Sequence, residues 1–194
     1  MTPRSGSGTA GGTVLAEQLA QQLAPRVSKL LLDVPDFPVP GVLFKDLTPL
    51  FGDPGAFAET VEWFAAIGRE AHADAVVGIE SRGFLLGAPA ALSLGVPFVP
   101  VRKAGKLPRA VFEESYDLEY GSAVLAVHAD ALSAGARVLV LDDVLATGGT
   151  AAAAAALVRR GGAQPVAVSV LLELGFLGGR ARVGDLPVTA LVTA

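Results

Sequence analysis

The chain has 194 residues, 52% of them hydrophobic, a formal charge of −4 and a mean hydropathy of +0.52. A chain of this length can bury its own core without disulfide or metal staples, and the absence of cysteine excludes thiolate catalysis and zinc–thiolate sites. Two histidines far apart, His72 and His128, argue against a His-rich metal centre, no apolar run reaches the ~18 residues a spanning helix needs, and the acidic balance argues against a nucleic-acid partner.

Residues 1–13 are rich in Gly, Ser and Thr and read as a disordered tail ahead of one domain over 14–194. They contain no apolar stretch of the kind an export signal carries, so a cytoplasmic protein is expected. Residues 15–32 have helical spacing interrupted at Pro25, which predicts two helical pieces with Pro25 near the start of the second. The run Asp36-Phe37-Pro38-Val39-Pro40-Gly41 cannot be regular, because each proline removes a donor and restrains its predecessor. A short strand is expected over 42–47. Asp53-Pro54 opens a helix reaching about residue 72, with Asp53 as its cap. A buried strand at 75–79 leads to a helix at 83–94 closed by Gly95, and a strand at 97–101 follows.

Residues 103 to about 120 are charged, aperiodic and interrupted by Gly and Pro, which predicts a long loop or flexible hairpin. Arg102, Lys103, Lys106 and Arg109 place four cations within eight residues with no acid among them, an arrangement suited to a small polyanion. Strands are expected at 122–127, 137–141, 165–172 and 188–192, and an Ala-rich helix at 150–160 closed by Gly161-Gly162. Strands alternating with helices imply an α/β fold, a mostly parallel twisted sheet with helices on both faces.

The most informative stretch is Val138-Leu139-Val140-Leu141-Asp142-Asp143-Val144-Leu145-Ala146-Thr147-Gly148-Gly149-Thr150. A central parallel strand ends at two carboxylates, and the carboxyl ends of such strands are where open α/β sheets bind ligands. The turn Ala146-Thr147-Gly148-Gly149-Thr150 then enters a helix. Its glycines let main-chain amides approach a phosphate, its hydroxyls add donors, and the helix start adds a partial positive charge. Asp142 and Asp143 stand too near that phosphate to touch it favourably and suit sugar hydroxyls or Mg²⁺-bound water instead. A phosphate cradle beside hydroxyl acceptors describes a ribose 5-phosphate site. Competing motifs fail: no Gly-x-Gly-x-x-Gly follows a strand, Gly105-Lys106 lacks a P-loop's upstream glycine, and Ser81 lacks a nucleophile elbow's first glycine.

This stretch resembles the phosphoribosyl pyrophosphate motif of the type I phosphoribosyltransferases. Asp36-Phe37-Pro38-Val39-Pro40-Gly41-Val42-Leu43-Phe44-Lys45-Asp46 is similar to the base-binding segment of the adenine-specific branch. Gly78-Ile79-Glu80-Ser81-Arg82-Gly83-Phe84 resembles its pyrophosphate loop, and Ser115-Tyr116-Asp117-Leu118-Glu119-Tyr120-Gly121 its catalytic lid. The segments stand in the family's order from about residue 23 onward.

The resemblance implies transfer of a phosphoribosyl group from phosphoribosyl pyrophosphate to adenine, with a small N-terminal hood over the base and a mobile lid at about 103–121. Phe44 would stack on adenine with Leu174 on the other face, and the backbone of Leu43 and Lys45 would read the base edge; taken alone, Phe44 also reads as a packing aromatic. Arg82, Arg102, Lys103 and Lys106 would hold pyrophosphate. Ala146, Thr147, Gly148, Gly149 and Thr150 would bind the 5-phosphate. Glu119 would act as the acid/base and Tyr120, beside it on the lid, would bind substrate; without the resemblance, Glu119 is one solvated acid among Glu113, Glu114 and Asp117. Asp142 and Asp143 would orient the ribose hydroxyls and stabilise developing positive charge. Mg²⁺ would ride on the substrate, reaching Asp142 and Asp143 only through water. A cis bond at Glu80–Ser81 and a homodimer are further expectations.

Lys45, where arginine is also found, and Ala104, at an often basic lid position, depart from the commoner pattern. A phosphoribosyltransferase for another base, such as xanthine or guanine, and a phosphoribosyl-pyrophosphate-sensing regulator are the alternatives; the sequence shows no DNA-binding pattern that would favour the second.

Overall fold

In the computed structural model, residues 13–117 and 121–194 are described. Helix α1 (Thr13–Leu30) runs through Pro25 without a break, so the expected division into two pieces is not observed. A mid-helix proline forfeits one backbone bond and costs about 3 kcal/mol. Burial of Leu23 and Val27 on either side of the exposed Pro25 holds the helix together.

A two-stranded antiparallel unit follows, β1 (Leu32–Pro35) with β2 (Leu43–Asp46), the expected hood. Its register sets Asp33 opposite Lys45, whose Nζ lies 2.5 Å from the Asp33 carboxylate. The proline-rich connection carries a cis Phe37–Pro38 bond, and the Asp36 carboxylate accepts from the Gly41 amide. Short helix α2 (Thr48–Gly52) leads to α3 (Pro54–Glu70), where Asp53 caps the start by accepting from the Ala56 amide at 3.0 Å. Asp53-Pro54 thus opens the helix as the sequence indicates.

The remaining elements are β3 (Ala75–Ile79), α4 (Arg82–Leu94), β4 (Phe98–Lys103), β5 (Val111–Asp117), β6 (Ser122–His128), β7 (Arg137–Leu145), α5 (Gly149–Arg160), β8 (Gln164–Glu173), a 3₁₀ turn (Gly175–Leu177), α6 (Gly179–Val183) and β9 (Val188–Thr193). Seven strands form one sheet in the order β5-β6-β4-β3-β7-β8-β9. Strands β4, β3, β7, β8 and β9 are mutually parallel, and β6 and β5 add an antiparallel edge.

Alternate residues of β7 point to opposite faces, as pleating requires. Leu139 and Leu141 pack beneath α1, α3 and α4, while Val138 and Val140 pack against α5. Both faces are therefore covered, which explains the nearly continuous apolar run in the sequence. Strand β7 extends past Leu141 through both acids, because β8 continues to pair with it as far as Leu145 opposite Glu173.

Of the two forms expected for the charged segment before residue 120, the hairpin is observed, and it contains a regular strand whose bounds the aperiodic sequence did not mark. Phe112 and Tyr116 alternate toward the core against α5, while β5 pairs antiparallel with β6 from Val111–His128 to Asp117–Ser122. Three interspersed acids mask this alternation in the sequence.

Candidate functional site

The carboxyl ends of β3, β4 and β7 converge where Asp142, Asp143 and the turn 146–150 lie. Gly148 caps α5 with φ of +81°, a left-handed conformation that glycine adopts without penalty. Among the described residues, the amides of Thr147, Gly148, Gly149 and Thr150 donate to no acceptor. A helix start with unengaged N–H groups and a partial positive charge can receive a phosphate monoester.

Asp142 and Asp143 are both buried. The Asp143 amide donates to Asp142 Oδ1 at 2.9 Å. Burial, then the neighbouring Asp143 charge, pushes the Asp142 carboxyl well above the usual carboxylate range. Arg82 Nε lies 2.7 Å from Asp143 Oδ2. The contact lacks a hydrogen bond's alignment, so this buried oxygen retains unused acceptor capacity among the described residues.

Arg82 also joins the acids to the hood. Its guanidinium sits over the Phe44 ring, 5.3 Å from the centroid, and Phe44 meets Phe37 edge-on at 5.0 Å. Val34, Phe37, Phe44, Asp46, Thr48 and Arg82 line a cavity of about 420 Å³, within the usual range of small-molecule sites. Asp46 Oδ1 accepts from both the amide and the hydroxyl of Thr48, which fixes the carboxylate. Those two bonds, helped by Arg82, hold its pKa below the ordinary aspartate value. Leu43 is exposed on the hood, and Lys45 extends toward Asp33. Leu174, expected opposite Phe44, is absent from this cavity's lining; it follows β8, half-buried against the helical core.

The cations are sorted by their partners. Arg102 Nε donates to Glu80 at 2.9 Å, and its Nη1 donates to the Lys106 carbonyl at 3.2 Å. The same Glu80 oxygen accepts from the Lys103 amide. Arg109 pairs with Asp130. Lys103 and Lys106 are exposed and form no ion pair among the described residues. The peptide bond between Glu80 and Ser81 is cis, as expected. Glu119 and Tyr120 lie outside the described residues.

The phosphoribosyl transferase domain family matches residues 52–182. Adenine phosphoribosyltransferase of Streptomyces coelicolor is 57% identical over 175 residues, covering 86% of this chain and 96% of the relative. That of a Nocardioides species is 58% identical over 177 residues, covering 88% and 96%. The chain belongs to the adenine phosphoribosyltransferase family. Among solved structures, the adenine phosphoribosyltransferase of Rhodothermus marinus superposes with a TM-score of 0.84 at 44% identity, covering 90% of this chain and 99% of that one. The Saccharomyces cerevisiae adenine phosphoribosyltransferase, solved with an imino-altritol bisphosphate and adenine, gives 0.84 at 43% identity, covering 88% and 99%.

In this member of the adenine phosphoribosyltransferase family, sequence reasoning did not single out Glu80 as the anchor of Arg102, nor Val34 and Thr48 as cavity walls; Phe37 and Asp46, also walls, lie inside the segment read as base-binding. Glu80 stood inside a quoted motif, so its proximity to a cation cluster was the available signal. Val34 and Thr48 flank the base-binding segment, and Arg82 joins the cavity from α4, a contact that no local spacing announces.

Proposed function

We propose that the chain transfers the 5-phosphoribosyl group of phosphoribosyl pyrophosphate to N9 of adenine, releasing AMP and pyrophosphate. The observation that carries this reading is the turn 147–150, whose amides have no acceptor among the described residues, directly beyond two buried acids. The 5-phosphate enters the turn, and Asp142 and Asp143 accept from the ribose hydroxyls one strand-end away. As the C1′–O bond to pyrophosphate breaks, positive charge grows on the sugar ring, and the fixed carboxylates stabilise it without reorganisation.

Phe44 offers a flat apolar face to a neutral base, while Leu43 and Lys45 present backbone groups to its edge and Leu174 closes the site. Arg82, Arg102, Lys103 and Lys106 neutralise the departing pyrophosphate. Arg102, held by Glu80, is already oriented. On the lid, Glu119 exchanges the purine proton and Tyr120 accompanies it, the roles the family resemblance assigns. Closure of 103–121 excludes water, which otherwise hydrolyses the activated sugar.

Mg²⁺ is the implied cofactor. The buried Asp143 Oδ2, lacking an aligned donor, suits a metal-bound water, and Asp142 stands beside it. When bound, the ion neutralises substrate phosphate charge. The residues themselves position the sugar and exclude solvent. A homodimer in the cytoplasm completes the reading; among the described residues no helix is long and apolar enough to cross a membrane.

The test is AMP formation from adenine and phosphoribosyl pyrophosphate by purified protein, with and without Mg²⁺, and with guanine, xanthine and hypoxanthine as competing bases. Mg²⁺-dependent AMP formation with adenine strongly preferred is expected. Turnover of another base in its place would transfer the reading to that base, and no turnover with any base would end it.

A further inference from the structure

The segment 174–179 leads from the end of β8 to the back of the phosphate turn. It contains Gly175, Gly178 and Gly179, and Phe176 is 79% exposed. The 3₁₀ turn and the Gly175 amide, which donates to the Ala194 carbonyl at 2.9 Å, order its first half. Glycine-rich backbone loses much freedom when it is ordered, so a cross-link between the two ends restricts the paths left to the second half.

An ion pair spans the segment and supplies that cross-link. Glu173, buried at the end of β8, accepts two parallel bonds from Arg180, Nε to Oε1 at 2.7 Å and Nη2 to Oε2 at 2.6 Å. The remaining Arg180 nitrogen donates to the Val188 carbonyl at 2.6 Å. A fork-to-fork pair fixes direction as well as distance. The Glu173 side chain is 8% exposed and that of Arg180 49%, so burying the carboxylate carries a desolvation cost that the two aligned bonds offset.

The residues next to this pair are fixed at both ends of the segment. Leu174 follows Glu173 and donates its amide to the Leu145 carbonyl at 2.9 Å. Gly179 precedes Arg180 and lies against the phosphate turn. A Cβ on Gly179 would fall 2.2 Å from the Ala146 carbonyl oxygen and 3.0 Å from the Gly148 nitrogen. Reciprocally, a Cβ on Gly148 would fall 2.2 Å from the Gly179 carbonyl oxygen. The turn is thus backed by main chain, with no room for a side chain on either strand of the contact.

We infer that the Glu173–Arg180 pair is a positioning clamp that holds Gly179 behind the phosphate turn, so that an ion pair outside the turn sets the seat of the 5-phosphate. The inference rests on the phosphoribosyltransferase reading of the turn. The clamp acts through the backbone of Gly179, which separates Arg180 from the turn.

The experiment measures ribose 5-phosphate affinity by calorimetry, and KM and kcat for both substrates, in Arg180→Ala, Arg180→Lys and the distant core variant Ile67→Ala. Arg180→Ala is expected to weaken ribose 5-phosphate at least tenfold and to raise KM for phosphoribosyl pyrophosphate, with KM for adenine and kcat within about threefold of the parent. Arg180→Lys keeps the charge without the fork and is expected to recover part of the loss. Ile67→Ala lowers the melting temperature without changing ribose 5-phosphate affinity. Unchanged affinity in Arg180→Ala, or an equal loss in Ile67→Ala, overturns the clamp while leaving the turn's assignment intact. Failure of the parent protein to bind ribose 5-phosphate overturns both.

Discussion

Asp142 shows what a site residue costs the fold that carries it. Its carboxylate is buried beside a second carboxylate, and Arg82 only partly offsets the combined effect. An acid whose pKa rises on folding binds its proton more tightly folded than unfolded. Stability therefore declines as pH increases from the unfolded aspartate range, about 4, through the folded value. Asparagine is nearly the same shape and carries no charge to desolvate. Asp142→Asn is expected to melt higher than the parent by roughly 2–4 °C near neutral pH, the shift that about 1 kcal/mol produces in a chain of this size. The gain should shrink as pH falls toward 4, while AMP formation drops by at least tenfold for want of the carboxylate's charge and second acceptor oxygen. Thermal melts of metal-free protein across that range check the claim. A melting temperature below that of the parent at neutral pH would show that the carboxylate is satisfied in the free enzyme.

At the level of elements, legibility followed how locally each feature is encoded. The phosphate turn could be read because strand, acids, glycines and helix start are contiguous, and Asp53-Pro54 could be read because a cap and its helix lie side by side. Helix α1 could not, because what carries it through Pro25 is burial of Leu23 and Val27 against other elements. Strand β5 was hidden for a similar reason: Phe112 and Tyr116 alternate inward, but Glu113, Glu114 and Asp117 make the segment look solvated. The Glu173–Arg180 pair was equally invisible, since a glutamate ending a strand before a glycine-rich stretch has no distinctive spacing. One cation ties the β5–β6 hairpin to α5. Arg160 Nη1 donates to the Glu113 carbonyl and lies 3.3 Å from the Glu114 carboxylate, with the guanidinium 5.7 Å from the Phe112 ring. Because the pair is half exposed, its removal should shift the melting temperature by less than about 2 °C. Its local effect should be larger. Arg160→Ala is expected to speed tryptic cleavage after Lys103, Lys106 or Arg109 several-fold, as the hairpin opens more often. Mass spectrometry of early cleavage products decides it, and an unchanged rate would mean that the hairpin is held by its ladder to β6 and by its packing.

Across the whole molecule, charge is distributed against its own sum. The chain is acidic, with a formal charge of −4, yet Arg82, Arg102, Lys103 and Lys106 come from α4, β4 and the turn after β4, elements that meet at one end of the parallel sheet. Two of these cations are oriented by acids and two project without an acidic partner among the described residues. A field of this kind draws a polyanion toward one rim while the remaining surface repels it. Its reach depends on salt, because screening shortens from about 10 Å at 0.1 M to about 3 Å at 1 M ionic strength. A neutral base entering the aromatic hood gains little from that field. Raising KCl from about 0.05 to 0.5 M should therefore increase KM for phosphoribosyl pyrophosphate roughly five- to tenfold and change KM for adenine by less than about twofold. Lys103→Ala with Lys106→Ala should flatten the first dependence, because these two exposed ammonium groups are the ones salt screens most effectively. Equal salt dependence for both substrates would show that screening acts on a step they share, such as lid closure, and that the cationic rim does not select the donor.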